Sequence, residues 1–171
     1  MKKNILFILA FFLCLPIFAQ KYGYVDTEYI LNNIPAYKTA QEQLNETAKT
    51  FQQEVDNAYA EVDKLARDYE NEKVILSDEL KRKREDAINT KDKASRQLQM
   101  KYFGKEGELF KKRQELIKPI QDQIYNAIKE ISGEENFAFI FDIAAGPVIL
   151  YCDPKLDKSK AVLDKLGYKN K

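Results

Sequence analysis

Histidine is absent from this sequence of 171 residues, and tryptophan is absent as well. Without histidine the chain has no imidazole to act as a general base or as a metal ligand. The six glycines form no phosphate-binding loop. Acidic side chains are plentiful, but they are interspersed with lysine, as on the solvated faces of helices. We therefore predict that the protein is not an enzyme and that it binds no metal or cofactor.

The first twenty residues have the pattern of a secretory signal peptide. Two lysines are followed by an apolar run over residues 5–18 and then by Ala19-Gln20, where a peptidase would cut. The run is short for a membrane anchor, although an uncleaved anchor is the alternative interpretation. Cys14 does not indicate a lipoprotein, because Leu13 before it is bulky and the apolar run continues beyond it.

Cysteine is almost absent, since Cys152 is the one cysteine that remains after the leader. The exported chain therefore has no internal disulfide and must be held together by packing. We interpret Cys152 as a buried structural thiol in a strand. Removing Lys2 and Lys3 takes two from the 28 basic residues, against 27 acidic ones, so the net charge changes from +1 to about −1. This balance does not favour nucleic acid as a partner.

Residues 37–76 carry a seven-residue repeat with spacings that alternate between three and four. The two sets of seam positions are Gln41, Ala48, Val55, Val62, Tyr69 and Leu76, and Tyr37, Leu44, Phe51, Ala58, Leu65 and Glu72. All except Gln41 and Glu72 are apolar or aromatic. A strict repeat of this kind predicts the narrow seam of a coiled coil, with a length of roughly 60 Å at 1.5 Å per residue.

A second helical pattern runs from Leu80 to Ile131, and Ser77 or Asp78 is expected to cap its start. We predict an antiparallel hairpin with its tip near residues 76–80, in preference to one continuous rod, because the hairpin returns the chain towards its beginning.

Three residues interrupt the returning pattern and predict a hinge. Gly104 and Gly107 each cost roughly 1 kcal/mol relative to alanine, and Pro119 should kink or restart the helix.

Strand patterns lie at the two ends of the chain. A first strand is expected at residues 22–26, and "FAFIFDI" and "PVILYCD" predict a β-hairpin that the first strand joins. A short final helix ends at Gly167. The predicted fold is therefore α+β. It has a leader (1–20), a helical hairpin arm (36–133), and a small three-stranded body made from residues 21–35 and 134–171.

The predicted strands are apolar on both faces, so a sheet this small would aggregate unless it were covered. We expect other copies of the same chain to cover it, in a homo-oligomer with a shared body. The predicted core of that body is Tyr24, Val25, Phe137, Phe139, Phe141, Val148 and Leu150.

Three stretches of the sequence resemble the Skp/OmpH-type periplasmic chaperones. They are "YGYVDTEYILNNIPAYKTAQEQL", "KPIQDQIYNAIKEIS" and "FAFIFDIAAGPVILYCDPKLDKSKAVLDKL". The similarity rests most on Val25-Asp26, Pro119-Ile120, Asp142 and the ending from Asp157 to Leu166. It is clearest at both ends of the chain, whereas the middle resembles coiled coils in general.

This resemblance implies a periplasmic homotrimer of jellyfish shape. Strands from three subunits would form one β body, and the helical hairpins would project from it around a cavity that holds unfolded outer-membrane proteins without using ATP. Better-known members are strongly basic, whereas this chain is near neutral. Electrostatic capture of clients, and binding to lipopolysaccharide or an anionic membrane surface, are therefore expected to be weak.

Two groups of residues are candidate client contacts. Lys81, Arg82, Lys83 and Arg84 predict a basic hairpin end that attracts acidic client segments, and the alternative is an ordinary solvated tip. Phe103 and Phe110 belong to a second seven-spaced series and are predicted to face the cavity, and the alternative is a wide packing face. A rival function for the whole chain is a coiled-coil spacer or adaptor that bridges fixed partners in the cell envelope.

Overall fold

The structure is a computed structural model that describes residues 20–144 and 149–168. In chain order the elements are β1 (Lys21–Val25), α1 (Thr27–Asn32), α2 (Pro35–Glu72), α3 (Asp78–Phe103), α4 (Glu108–Glu135), β2 (Phe137–Asp142), a 3-10 turn (Pro154–Leu156) and α5 (Ser159–Lys165). The predicted leader up to residue 19 and Val148 lie outside the described residues. Within the described ranges, no helix is both long enough and apolar enough to span a bilayer.

The described residues divide into two compact units. The terminal unit contains both ends of the chain, up to Ile30 and from Asn126 onward. The helical unit is Leu31–Tyr125.

Helix α2 of the helical unit begins at Pro35, which suits the first turn because its missing N–H would have no partner there. Every predicted seam position of α2 and the following turn is buried or half-buried except Gln41. Val55 and Val62 are among the most shielded of them. The seven-residue repeat therefore identifies the packing face of this helix correctly.

Helices α2 and α3 pack side by side in opposite directions. Lys91 on α3 reaches Glu61 on α2 at 2.9 Å, and nearer the turn Arg84 reaches Glu72 at 3.1 Å. This nesting of contacts around one turn confirms the helical hairpin. The turn occupies residues 73–77, slightly before the predicted tip at 76–80.

The returning arm is interrupted at glycine and continuous at proline. Helix α3 ends at Phe103 with Gly104 as its C-cap, and α4 begins at Glu108. Pro119 lies inside α4, which continues through it to Glu135. The helix thus restarts at the glycines and not at Pro119. Proline has no N–H to donate to the carbonyl four residues earlier. Because Pro119 is exposed, that carbonyl can bond to water instead.

The sheet of the terminal unit consists of β1 and β2, paired in parallel. Tyr22 lies opposite Phe139, and Tyr24 opposite Phe141. About a hundred residues separate the two strands, as a parallel pair requires a long crossover connection. On its other side β1 is met by the 3-10 segment, where Lys158 N–H donates to Tyr24 O at 2.9 Å. Both edges of β1 are thus occupied.

The third predicted strand is not confirmed. Residues 149–153 form no strand in this chain, so the sheet of the described residues has two strands and not three. Leu150 and Tyr151 stand free in solvent. The physical reason is that a strand needs a hydrogen-bonding neighbour, and none of the described strands of this chain supplies one here.

A short helix, α1, was not predicted and lies directly after β1. Asp26 starts it, since its Oδ1 accepts from Tyr29 N–H at 2.9 Å, as expected of an N-cap. Helix α1 buries Ile30 completely, and α5 does the same with Val162 and Leu163. The terminal unit therefore has a core of its own.

Candidate functional site

The break between α3 and α4 is built around two glycines with different roles. Gly104 N–H still donates to Met100 O at 2.9 Å and closes α3. Gly107 is buried, and a Cβ placed on it would lie 2.6 Å from Tyr102 O and 2.8 Å from Lys101 O. A Cβ on Gly104 would lie closer still to Met100 O. No real Cβ approaches backbone so closely, so the chain can turn here only because residues 104 and 107 have no side chain.

Apolar side chains are exposed on both sides of this break. Phe103 and Phe110 are 38% and 45% exposed, so the structure leaves both predicted client contacts accessible to solvent. Met100, one turn before Phe103 and on the same face of α3, is 71% exposed. Sequence reasoning missed Met100, because a single methionine between charged residues carries no periodic signal. We call Met100, Phe103 and Phe110 the apolar arm residues.

The predicted basic cluster is divided between paired and unpaired side chains. Lys81 lies 3.5 Å from Asp78, and Arg84 bonds to Glu72. Arg82 and Lys83 are exposed and make no ion pair within the described part of the chain. The free positive charge at this end is therefore about half of what the sequence alone suggests.

The turn beside this cluster is apolar and uncovered. Val74 and Ile75 are 86% and 85% exposed, and Leu80 is about half exposed. We call these three side chains the tip patch. The seven-residue repeat includes Leu76, which is half-buried. Val74 and Ile75 are not part of the repeat, so the sequence did not predict an apolar patch here.

One face of the sheet in the terminal unit is aromatic and open. The rings of Tyr22 and Phe139 stack at 6.2 Å, as do those of Phe139 and Phe141, and all three are exposed. Of the predicted body core, Val25 and Phe137 are buried within this one chain. Tyr24 is half-buried, and burial together with the nearby Asp157 raises its pKa.

Polar side chains fasten the strands of this unit to the elements beside them. Asp142, at the end of β2, accepts from Thr27 N–H at 3.2 Å and from Thr27 Oγ1 at 2.7 Å. Ser159, which is buried, accepts from Asp26 N–H at 2.8 Å. These bonds satisfy backbone donors at helix starts. The bonds to its carboxylate explain why an aspartate occupies position 142, and the bond from Tyr29 N–H to Asp26 Oδ1 does the same for position 26.

Glu135 joins the end of α4 to the start of β1 and to the residue before α5. Its carboxylate bonds to Lys21 Nζ at 2.7 Å and to Lys158 Nζ at 2.9 Å, and the Lys21 ammonium also lies 4.3 Å from the centre of the Phe137 ring. Hydrogen bonds from Lys21 and Lys158 lower the pKa of Glu135. The arrangement stabilises the register of the chain ends and offers no reactive group.

The described residues contain no cluster of His, Cys, Asp or Glu that could hold a metal ion. Cys152 is half-buried and lies outside any strand, which corrects the prediction of a buried strand thiol. The feature that these surfaces share is exposed apolar area, which suits contact with other polypeptide.

Comparison with known proteins gives one family and one fold. A search of curated proteins finds no match. A crystal structure from Caulobacter crescentus CB15, of a protein described as an OmpH-like outer membrane chaperone, is similar with a TM-score of 0.65. It covers 86% of this chain and 84% of its own at 13% identity, so the likeness concerns the fold alone. The model of the family described as "Outer membrane protein (OmpH-like)" matches residues 21–166, and the chain therefore belongs to the OmpH-like family.

Proposed function

We propose that this protein is an ATP-independent holdase chaperone of the periplasm, which binds unfolded outer-membrane proteins between the helical arms of several subunits and prevents their aggregation. Membership of the OmpH-like family supports a chaperone role, as does the description of the protein with the similar fold. The observation that carries the proposal is the exposure of the apolar arm residues, Met100, Phe103 and Phe110.

Such contacts suit a holdase because hydrophobic attraction is non-directional and grows with the apolar area removed from water. A few half-exposed side chains on each arm offer many shallow contacts and no deep pocket, so a client stays bound and remains mobile. The glycine break beside these residues supplies a hinge at which the arm adapts to clients of different size.

The proposal includes a homotrimer with a shared body. Phe139, Phe141 and Leu150 are exposed in the single chain, and the outer edge of β2 pairs with no further strand in the ranges described. Residues 149–153 of a neighbouring copy would add a strand to such an edge through main-chain hydrogen bonds and would cover the phenylalanines.

The decisive test replaces Phe103 and Phe110 by serine and measures how well the protein suppresses aggregation of an unfolded outer-membrane barrel protein. We expect weaker suppression by an oligomer of unchanged mass. Tyr125→Ser is the matched control, because Tyr125 is an exposed aromatic residue of the same unit. Full suppression by the double variant would exclude the apolar arm residues as client contacts.

The basic cluster is tested separately. Reversing the charges of Lys81, Arg82, Lys83 and Arg84 should slow client capture at low salt and have less effect at physiological ionic strength, where exposed charges are screened beyond about 8 Å. Equal association rates at low salt for the charge-reversed and natural proteins would show that the cluster is an ordinary solvated tip and not a client contact.

The rival function of an envelope spacer differs in what the protein binds. A spacer binds one folded partner at fixed stoichiometry, whereas a holdase binds several unfolded proteins and releases them as they fold. The mass of the leaderless protein in solution, measured with and without an unfolded barrel protein, separates the two.

A further inference from the structure

The tip patch is unusual for its position. Turns between helices are normally polar and rich in glycine, asparagine or proline, whereas the turn after α2 places Val74 and Ile75 side by side in solvent. The neighbouring helix starts are satisfied without them, because Ser77 caps α3. Nothing in the described part of the chain covers these two side chains or requires them to be apolar.

We propose that the tip patch binds the tip patches of other copies of this chain within one oligomer, so that the arms meet at their tips when no client is held and separate when a client enters. This inference rests on the proposed oligomer. It adds a closing contact that the fold of a single chain does not need.

The charges around the tip favour a second copy over an anionic membrane. From Glu70 to Asp86 there are six acidic and five basic side chains, so the region is close to neutral and gains little from an anionic surface. Glu79, Arg82 and Lys83 lie three and four residues apart on α3 and so share one face; all three are exposed and have no ion pair among the described residues. Opposite charges at adjacent tips can therefore face each other, and neutral tips do not repel.

The size of the patch explains why the contact must be reversible. A stable interface between free proteins buries about 800 Å² on each partner, far more than three side chains provide. Arms that are already joined through a common body meet at an effective concentration in the millimolar range, where weak contacts are sufficient. A weak contact is also what an entering client can displace.

Distances between spin labels test the proposal on the chain that starts at Gln20. Cys152→Ser removes the remaining thiol, and Asn71→Cys places a label on an exposed position beside the turn. We expect a well-defined short-distance population in the empty protein. The distribution of distances should broaden and shift to longer values when an unfolded barrel protein is added. The Val74→Ser/Ile75→Ser variant should show the same broad, long distances without any client. Tyr125→Ser should leave the distances unchanged.

Light scattering on the same samples separates this inference from the function on which it rests. A mass of one subunit would overturn both the oligomer and the tip contact. An oligomer of normal mass with the same distances in the natural and serine sequences would overturn the tip contact alone. Weaker client binding by the serine variant would make the patch a client contact, and loss of binding to phosphatidylglycerol vesicles would make it a membrane contact. Either result would also refute the proposal, which expects client binding by the serine variant to be as tight or tighter.

Discussion

The ring of Tyr102 stacks on the ring of Phe51, with centroids 4.0 Å apart and planes only 1° from parallel. The Tyr102 hydroxyl also donates a hydrogen bond to the Glu54 carboxylate, which raises the pKa of Tyr102. Tyr102 is the last buried residue of α3 before Gly104. The end of α3 is therefore fastened to α2 immediately before the chain changes direction.

The stacked pair should stabilise the hairpin measurably. Phe51→Ala removes the half-buried ring against which Tyr102 packs and should lower the free energy of unfolding by about 2 kcal/mol. Tyr102→Phe keeps the stack and removes only the hydroxyl, so its urea midpoint should fall less. Met100→Ala, on the exposed face of the same helix, should change the free energy by less than about 0.5 kcal/mol. Equal midpoints for Phe51→Ala and Met100→Ala would show that the stack contributes nothing.

Two glycines of the arm should respond to alanine in opposite directions. At Gly107 the added methyl meets the backbone oxygens of residues 101 and 102, so the break must open and the protein should lose more than about 1 kcal/mol. At Gly133, inside α4, an added Cβ has nothing within 4 Å, and alanine should stabilise by about 0.5–1 kcal/mol through better helix propensity. Thermal unfolding checks both predictions: the midpoint temperature should fall for Gly107→Ala and rise for Gly133→Ala. Stabilisation by Gly107→Ala would contradict the tight fold-back described above.

Local signals were sufficient to predict much of the helical unit. The seven-residue repeat and the Ser77 cap depend on neighbours a few residues apart, and both are present in the structure. The position of the helix break was harder to predict, because Gly104 and Pro119 both interrupt a helical pattern. What decides between them is the backbone geometry of the break itself: a Cβ at position 107 would meet the backbone oxygens of residues 101 and 102, whereas Pro119 is exposed and α4 continues through it.

The terminal unit was less predictable. Strand propensity located β2 correctly but gave no information on its partner, which is β1 in parallel. The stretch from Ile149 to Tyr151 has the same propensity and forms no strand here, because hydrogen bonds across a sheet depend on a neighbour that local sequence does not specify. The spacing of Phe103 and Phe110 led to their prediction as client contacts; both are exposed, and the role stays a prediction. Met100 and the tip patch are exposed as well, but they belong to no regular spacing in the sequence.

The cap at the turn gives a third prediction. Ser77 Oγ accepts from Leu80 N–H at 3.4 Å, a long bond at the first turn of α3. Ser77→Ala should therefore cost about 0.5–1 kcal/mol, the lower part of the usual range for a lost cap. Ser77→Asp keeps an acceptor and adds a negative charge at a helix N-terminus, so it should equal or exceed the natural protein in chemical denaturation. A stability order in which alanine is the best residue at position 77 would contradict this cap.

The bonds around Glu135 predict how stability changes in acid. Since Lys21 and Lys158 hold the pKa of this carboxyl below its ordinary value of 4.5, the folded state binds the proton less readily than the unfolded chain does. The contribution of Glu135 is therefore fully present above about pH 4.5 and is lost as the pH falls through the lower pKa of the folded state. Glu135→Gln removes this contribution, so natural protein and variant should differ in urea midpoint near neutral pH, and the difference should shrink progressively as the pH falls below about 4.5. Glu42→Gln, at an exposed position beyond the first turn of α2, should follow the natural protein across the range. A gap between natural protein and Glu135→Gln that stays constant down to about pH 3 would show that the two lysines do not stabilise the charged carboxylate.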